Sequence, residues 1–553
     1  MKPTPSLPRL LLFLLATWWM PATVTANPNV ERFGLFETSF QAAGRYANPY
    51  TEVNAEAQWK CPDGSMRSIP LFWDGGTTWK LRLSPDLPGE WSFTVRANDR
   101  GLDGKAGSFT CVPSRRRGSI QPMKGFTHHF QYQNGERMWF MGDTAWALCT
   151  DNKEEKHNRA AAERYLDTRA AQGFNVVHCM LLSEAGWGNA GGLPFNDMKA
   201  QTLNPGYWQE MDHRLAHANQ QGLVVGLALA WGDKRKKEPF AWRRFPNLDA
   251  RKRYARYVAA RYSAYDVYFL VSGEWHAGIR TRPASEAEVR KEFIEIGNVL
   301  AKADPHGRMI GIHPMTRQGS VREFNKAEWM RFGDYQQNYR NLHARVLQSL
   351  KFNKPVVNAE YGYLLRDRNG DGKPDKDNST SLESMRHASW DIVMAGGYLV
   401  TGFGTTYFGG NRDPGPFDLE AKKNDAWEKQ IALIKKRFTD LEWWKLTPHD
   451  DWLSCKTARG KDTRQLGMIA PPATTYWLLA EPGQTYLAYA RGLSAALKLE
   501  LGANAAGRYR ASLFNPRTGG VTPLGETHRL QDSFRWTPPD NKDWVLHLVK
   551  ATK

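Results

Sequence analysis

The sequence predicts three folded units: a central (β/α)8 barrel, an N-terminal Ig-like β-sandwich before it and a small C-terminal β-sandwich after it. Three observations carry this prediction. Apolar and polar residues alternate singly near both ends of the chain. Between about 118 and 440, eight short apolar runs are separated for the most part by longer amphipathic stretches. The 553 residues are 41% hydrophobic and 24% charged, ordinary globular material that can bury several cores.

The N-terminal unit, residues 27–114, shows the period of a half-buried strand. Val53, Ala55, Ala57 and Trp59 alternate with Asn54, Glu56 and Gln58, and Trp91, Phe93 and Val95 alternate with Ser92, Thr94 and Arg96. Turn signals such as Pro62-Asp63-Gly64 and Asp74-Gly75-Gly76 lie between such runs. Ser114-Arg115-Arg116-Arg117-Gly118 reads as a polar linker.

The barrel unit, residues 118–440, has strand-like runs at Met138–Gly142, Asn175–Leu182, Leu223–Trp231, Val267–Ser272, Met309–His313, Phe332–Gln336, Pro355–Ala359 and Tyr398–Gly402. Helical periodicity fills Arg159–Gln172, Tyr207–Gln221, Ala250–Tyr262, Glu286–Ala303 and Glu383–Ala395. Eight strand–helix units of this length fit a TIM barrel. An open nucleotide-binding sheet is disfavoured, because no GxGxxG opens a helix after the first run. From 441 to 553 alternation returns, as in Leu497, Leu499 and Leu501 around Lys498 and Glu500.

The first 26 residues read as a signal peptide. Lys2 and Arg9 precede an apolar run from Leu10 to Trp19, and Val24-Thr25-Ala26 offers small residues at a cleavage spacing. A secreted, periplasmic or cell-surface location is expected. No internal run of 18 apolar residues occurs, so a membrane span is not expected. The formal charge is +18, which favours polyanionic neighbours. Export turns that preference away from nucleic acid and towards polysaccharide. Export also permits disulfides, and Cys61 and Cys111 stand in one segment that could bring them together. Cys149 and Cys179 fit free buried thiols as well as a pair, and Cys455 is left over. No HExxH or other zinc spacing is present.

In a (β/α)8 barrel the chemistry sits at the carboxyl ends of the strands. Here those ends carry acids and aromatics, the mix that glycoside hydrolysis requires. Glu274 after the fourth run and Glu360 after the seventh are the best catalytic pair, since each closes an apolar strand across the mouth from the other. Candidate sugar ligands are Asp143, the platforms Trp146, Trp187, Trp231 and Trp275, and His276, His313, Tyr335 and Gln337. Tyr335 is a candidate hydrogen-bond partner for the nucleophile. The bland alternatives are a rim salt bridge for each acid, capping for Asp143, core packing for the indoles and a hydrogen-bonded rim residue for each histidine.

The run Phe140-Met141-Gly142-Asp143-Thr144-Ala145-Trp146, followed by Tyr165-Leu166-Asp167-Thr168-Arg169 and Gly173-Phe174-Asn175-Val176-Val177, resembles the apiosidase-like (DUF4038) glycoside hydrolase barrels. Ala47-Asn48-Pro49-Tyr50, Phe72-Trp73-Asp74-Gly75 and Ser84-Pro85-Asp86-Leu87-Pro88-Gly89-Glu90-Trp91 resemble the DUF5060 sandwich that precedes such barrels. Phe514-Asn515-Pro516-Arg517-Thr518-Gly519-Gly520 is similar to a collagen-binding-type β-domain that closes them. The resemblance implies a retaining hydrolase, with Glu274 as acid/base and Glu360 as nucleophile, and no cofactor in the chemistry. One departure stands out: the large retaining clan places Asn before the strand-four acid, and this chain has Gly273.

Asp367, Asn369, Asp371 and Asp375 around Gly370 match the first half of a calcium loop, so a structural calcium ion is expected near Glu360; a solvated acidic turn is the alternative. Lys234-Arg235-Lys236-Lys237 follows the third strand. If it lines the cleft, the saccharide substrate is anionic; such runs otherwise form solvated surface. Competing functions are a non-catalytic glycan-binding surface protein and a polysaccharide lyase.

Overall fold

The computed structural model describes residues 28–152, 157–183, 185–232, 240–277, 279, 284–315, 318–336, 341–364, 380–402, 422–456 and 474–551. The signal segment lies outside them, as do Glu184, Gln337, the Lys234–Lys237 run and the 365–379 segment with its four calcium-ligand candidates.

The N-terminal unit is a sandwich of two sheets. Asn29–Glu31, Ala106–Val112, Gly89–Ala97, Ala55–Lys60 and Met66–Pro70 are neighbours in that order, and they face a sheet of Phe36–Gln41, Thr78–Leu83 and Phe72–Gly75. The alternation in the sequence is the burial pattern: Ala55, Ala57 and Trp59 point inward, as do Trp91, Phe93 and Val95. Trp59 packs against Phe93 at 4.6 Å between ring centroids. Cys61 and Cys111 are both buried in this core as free thiols, so the pairing open to them from the sequence is not made. A core already filled by large rings needs no covalent staple at this size.

A three-stranded sheet (Ile120–Met123, Phe126–Tyr132 and Arg137–Met138), which the sequence did not signal, follows the linker. Its Phe130 lies 5.0 Å from Phe140 and 5.1 Å from Tyr398, so it plugs the amino-terminal end of the barrel.

The barrel strands are β1 (Met141–Thr144), β2 (Val176–Met180), β3 (Val224–Ala228), β4 (Val267–Leu270), β5 (Ile310–Gly311), β6 (Gly333–Gln336), β7 (Val356–Asn358) and β8 (Tyr398–Thr401). All run parallel, and β8 pairs with β1. Between β5 and β6 only a parallel bridge, Ile310 to Met330, completes the ring. The barrel is therefore nearly closed. Every described residue of these strands is buried, as a parallel sheet covered on both faces requires.

The helices are α1 (Arg159–Ala171), α2 (Pro205–Gln220), α3 (Leu248–Tyr262), α4 (Glu286–Ala303), α5 (Leu342–Leu350), α6 (Leu382–Val393) and α7 (Lys422–Thr439). Local chemistry sets their starts. Asn158 accepts from the Ala161 amide, and Ser285 with Glu288 forms a full capping box. One unit departs from the regular pattern. The β5–β6 connection holds a short antiparallel strand, Gln318–Gly319, and a single helical turn, Val321–Phe324, in place of a long helix.

The C-terminal unit packs a larger antiparallel sheet against Leu453–Cys455, Leu497–Glu500 and Ser533–Trp536. Both outer units are clamped to the barrel by buried ions. Arg82 of the first sandwich meets Asp212 of α2 at 2.7 Å. Arg386 and Asp391 of α6 meet Asp543 and Arg491 of the last unit, each at 2.7 Å. Trp390 stacks on Tyr489 with rings 5.4 Å apart and 5° from parallel. Among the described residues, no helix is long and apolar enough to cross a membrane.

Candidate active site

The site lies at the carboxyl ends of β4 to β7, which carry Glu274, His313, Asp334 with Gln336, and Glu360 in turn. Glu274 follows β4 after a break in the extended backbone. Its φ of 42° is in the left-handed region, where a residue with a Cβ is strained by about 1–3 kcal/mol. The side chain is buried, and Gln336 at the end of β6 donates Nε2–H to its Oε1 at 3.2 Å.

Glu360 follows β7. Tyr363 donates its hydroxyl to Oε1. His313 Nε2, after β5, stands 3.4 Å from Oε2. The other nitrogen of His313, Nδ1, faces both oxygens of Asp334 on β6 at 3.3 Å. Burial works against a charge on His313, but Asp334 and Glu360 outweigh it and lift the imidazole to about 10. For Asp334, burial and the charge of Glu360 push the carboxyl above its usual range, and His313 pulls it only part of the way back. We read the pair as ionised, because two carboxylates face the one ring.

Two buried indoles stand beside His313. Trp146 and Trp231 lie 5.4 and 5.5 Å from the His313 ring and 4.6 Å from each other. Trp231 also explains the glycine before Glu274: a Cβ on residue 273 would fall 2.0 Å from Trp231 Cε3. The room an asparagine would need is occupied by the indole. Gly273→Ala is expected to displace Trp231, cost about 1–3 kcal/mol of stability and lower kcat/KM by up to about 100-fold. Thermal melts and steady-state kinetics check this; a variant with wild-type values for both would show that the contact is unimportant.

Among proteins of known kind, the model of the apiosidase-like catalytic domain matches residues 126–444. The chain belongs to the apiosidase-like family. Residues 29–98, within the first sandwich, match a domain of unknown function, DUF5060. Among solved structures, a candidate glycoside hydrolase from Bacteroides vulgatus aligns with a TM-score of 0.73 at 17% identity, covering 95% of this chain and all of its own. A second glycoside hydrolase gives 0.63 at 17% identity over 79% of this chain and 98% of its own. A family 5 glycoside hydrolase from Bacteroides vulgatus gives 0.60 at 17% identity over 79% and 94%. At such identity the likeness is one of fold. No curated protein matches the chain in sequence.

In this apiosidase-like barrel, several side chains expected at the site turn elsewhere. Asp143 is fully buried and faces α1, where Arg169 Nε and Tyr165 hydroxyl donate to its Oδ2 at 2.7 and 2.9 Å. Its geometry is that of a clamp between strand and helix, not of a sugar ligand. The Tyr165 and Arg169 of the family-like run are thus explained by folding. Tyr335 is correctly on β6 but on its outer face, with its hydroxyl bonded to Ser349 of α5. Tyr363 takes the place proposed for it beside Glu360. Trp275 packs among Phe324 at 5.0 Å and Phe293 of α4 at 6.5 Å, so it is core and not a platform.

His276 stacks on Trp275 at 3.8 Å and accepts from the Met315 amide at 3.4 Å. Trp187 is half-buried in the loop after β2. Three residues that sequence reasoning passed over, Asp334, Gln336 and Tyr363, contact the central groups. Period two from the inward Asp334 would have found Gln336 and excluded Tyr335. Among the described residues, no cluster of three or more His, Cys, Asp or Glu could hold a metal.

Proposed function

We propose that the protein is an exported retaining glycoside hydrolase acting on an oligo- or polysaccharide, with Glu274 as acid/base and Glu360 as nucleophile. The observation that carries this reading is the unlike setting of two carboxyl groups on one rim. Glu274 is contacted by a neutral amide, whereas Glu360 is contacted by a phenol and by His313, which is drawn to the charged form. A neighbouring imidazolium favours a carboxylate, the form a nucleophile needs. In the first step a Glu360 oxygen bonds to the anomeric carbon while the leaving oxygen takes the Glu274 proton. In the second, Glu274 takes a proton from water, whose oxygen displaces Glu360. Trp146 and Trp231 supply apolar faces for the sugar. The Lys234–Lys237 run supports an anionic glycan, and Asp367, Asn369, Asp371 and Asp375 support a calcium ion outside the chemistry.

The test is product release from neutral and acidic plant, algal and bacterial polysaccharides, read by mass spectrometry and by NMR of the fresh anomer. Saturated products of retained configuration are expected from the wild type. Inverted products would overturn the double-displacement assignment, unsaturated products would indicate a lyase, and no product from any glycan would favour a binding protein.

A further inference from the structure

We propose that His313 is a permanent imidazolium, held by Asp334, and that this cation fixes Glu360 in its ionised, attacking form. His313 and Asp334 are then positioning residues, and the inference rests on the reading of Glu360 as the nucleophile. Three observations support it. First, both ring nitrogens of His313 face carboxylate oxygens, Asp334 at 3.3 Å and Glu360 at 3.4 Å. A neutral imidazole has one N–H and would turn a lone pair towards one of those acids; only the imidazolium turns an N–H to each, as a hydrogen bond to Asp334 and an ion-pair contact with Glu360. Second, two indoles lie together on one side of the ring, at centroid distances of 5.4 and 5.5 Å from it, close enough for their π-systems to favour a cation. Third, the other histidine near it, His178 on β2, is held neutral: burial lowers it to about 3, with a contribution from His313 itself, and its Nε2 is engaged by Tyr268 of β4.

Among the described residues, the titratable groups interacting with the trio are Tyr268 from β4, Tyr363 after β7 and neutral His178 from β2. One cation between two carboxylates leaves one net negative charge, and Asp334 decides where it is used. While Glu360 is free, its charge is the surplus one. Once Glu360 is esterified to the sugar, His313 and Asp334 remain a neutral pair, and the imidazolium has no cause to release its proton. His313 thus serves by its charge and does not compete with Glu274 in proton transfer.

The charge state is testable on the full-length chain without a substrate. Histidine-labelled protein would be titrated by NMR, with the His313 signals assigned from His313→Gln. His313 is expected to keep imidazolium shifts from about pH 5 to about pH 9, where an ordinary histidine titrates near 6.5. Titration of the wild-type signal between about pH 6 and 7 would overturn the proposal. Asp334→Asn should bring that titration into range and raise the acidic limb of kcat/KM by about one pH unit or more on the glycan found by product release; Asp334→Glu should restore both. If the acidic limb stays fixed in Asp334→Asn while Glu360→Gln is inactive, the positioning role fails and the nucleophile stands. If Glu360→Gln turns over normally, the nucleophile reading itself fails.

Discussion

Glu360→Gln is expected to lose at least about 10⁴-fold in kcat, because the amide cannot form the glycosyl ester and the residues around it act as a unit. The loss should come with an intact fold, since the substitution keeps shape and the Tyr363 contact has an oxygen to meet. Glu274→Gln should behave differently. Loss of general acid–base assistance typically costs about 10²–10⁴-fold, and the cost should shrink with substrates whose leaving groups need no proton. Azide separates the two roles further. With Glu274→Ala it should capture the glycosyl-enzyme and give a glycosyl azide of retained configuration. With Glu360→Gly it should attack the sugar directly and give the inverted azide. Equal residual activity in both Gln variants, with no dependence on leaving group, would mean that neither acid has the role assigned to it.

Steep acid unfolding is the second large expected effect. Burial holds His157, His178, His387 and His547 neutral, lowered to about 3, and His129 to about 4. In the unfolded chain each takes a proton near pH 6.5. Below that pH the unfolded state binds more protons than the folded one, so stability falls as pH falls towards the folded values. Each such histidine contributes a slope of about 1.4 kcal/mol per pH unit, and five together give about 7 kcal/mol per pH unit around pH 5. That is comparable to the whole stability of an ordinary domain.

His313 acts at the other end of the scale. Its raised value means that its contribution is fully present below about pH 6.5 and is lost as pH rises through about 10. Circular dichroism and tryptophan fluorescence should therefore show cooperative loss of structure near about pH 4.5, and denaturant midpoints should also fall between about pH 6.5 and about pH 10. A chain that remains folded at about pH 3.5 would contradict the buried-neutral assignment.

Much of the fold is legible because its signals are local. The first sandwich follows from the two-residue period that runs up to Trp59 in one strand and on from Trp91 in another. Helix α4 starts where Ser285 and Glu288 cap it and stops at Ala303, the bounds its apolar period implies. The units that escaped sequence reading depend on distant partners. The plug at 120–138 is recognisable only by what Phe130 touches in the barrel.

The site was legible in part for the same reason. Glu274 and Glu360 declare themselves as acids ending apolar strands. On β6, however, Gly333, Asp334, Tyr335 and Gln336 are all buried, so polarity does not tell the inner face from the helix-facing one. Tyr335 is therefore as plausible a partner for the nucleophile from sequence as Asp334, and only its bond to Ser349 sets it apart. Asp143 was misjudged in the same way, because its partners, Tyr165 and Arg169, lie a helix away in sequence. Gly273 stood out as a departure but gained its meaning only from the indole of Trp231 lying against it.

The central claim is that Glu360 forms the bond to the sugar. Once product release has named the glycosyl unit, its 2-deoxy-2-fluoro derivative with an activated leaving group would be incubated with the enzyme. Intact-mass and peptide mass spectrometry would then locate the adduct. The account predicts one glycosyl unit per chain, attached at Glu360, accumulating faster in wild type than in Asp334→Asn. Attachment at another carboxylate, or turnover of the parent substrate to an inverted product with no adduct, would contradict it.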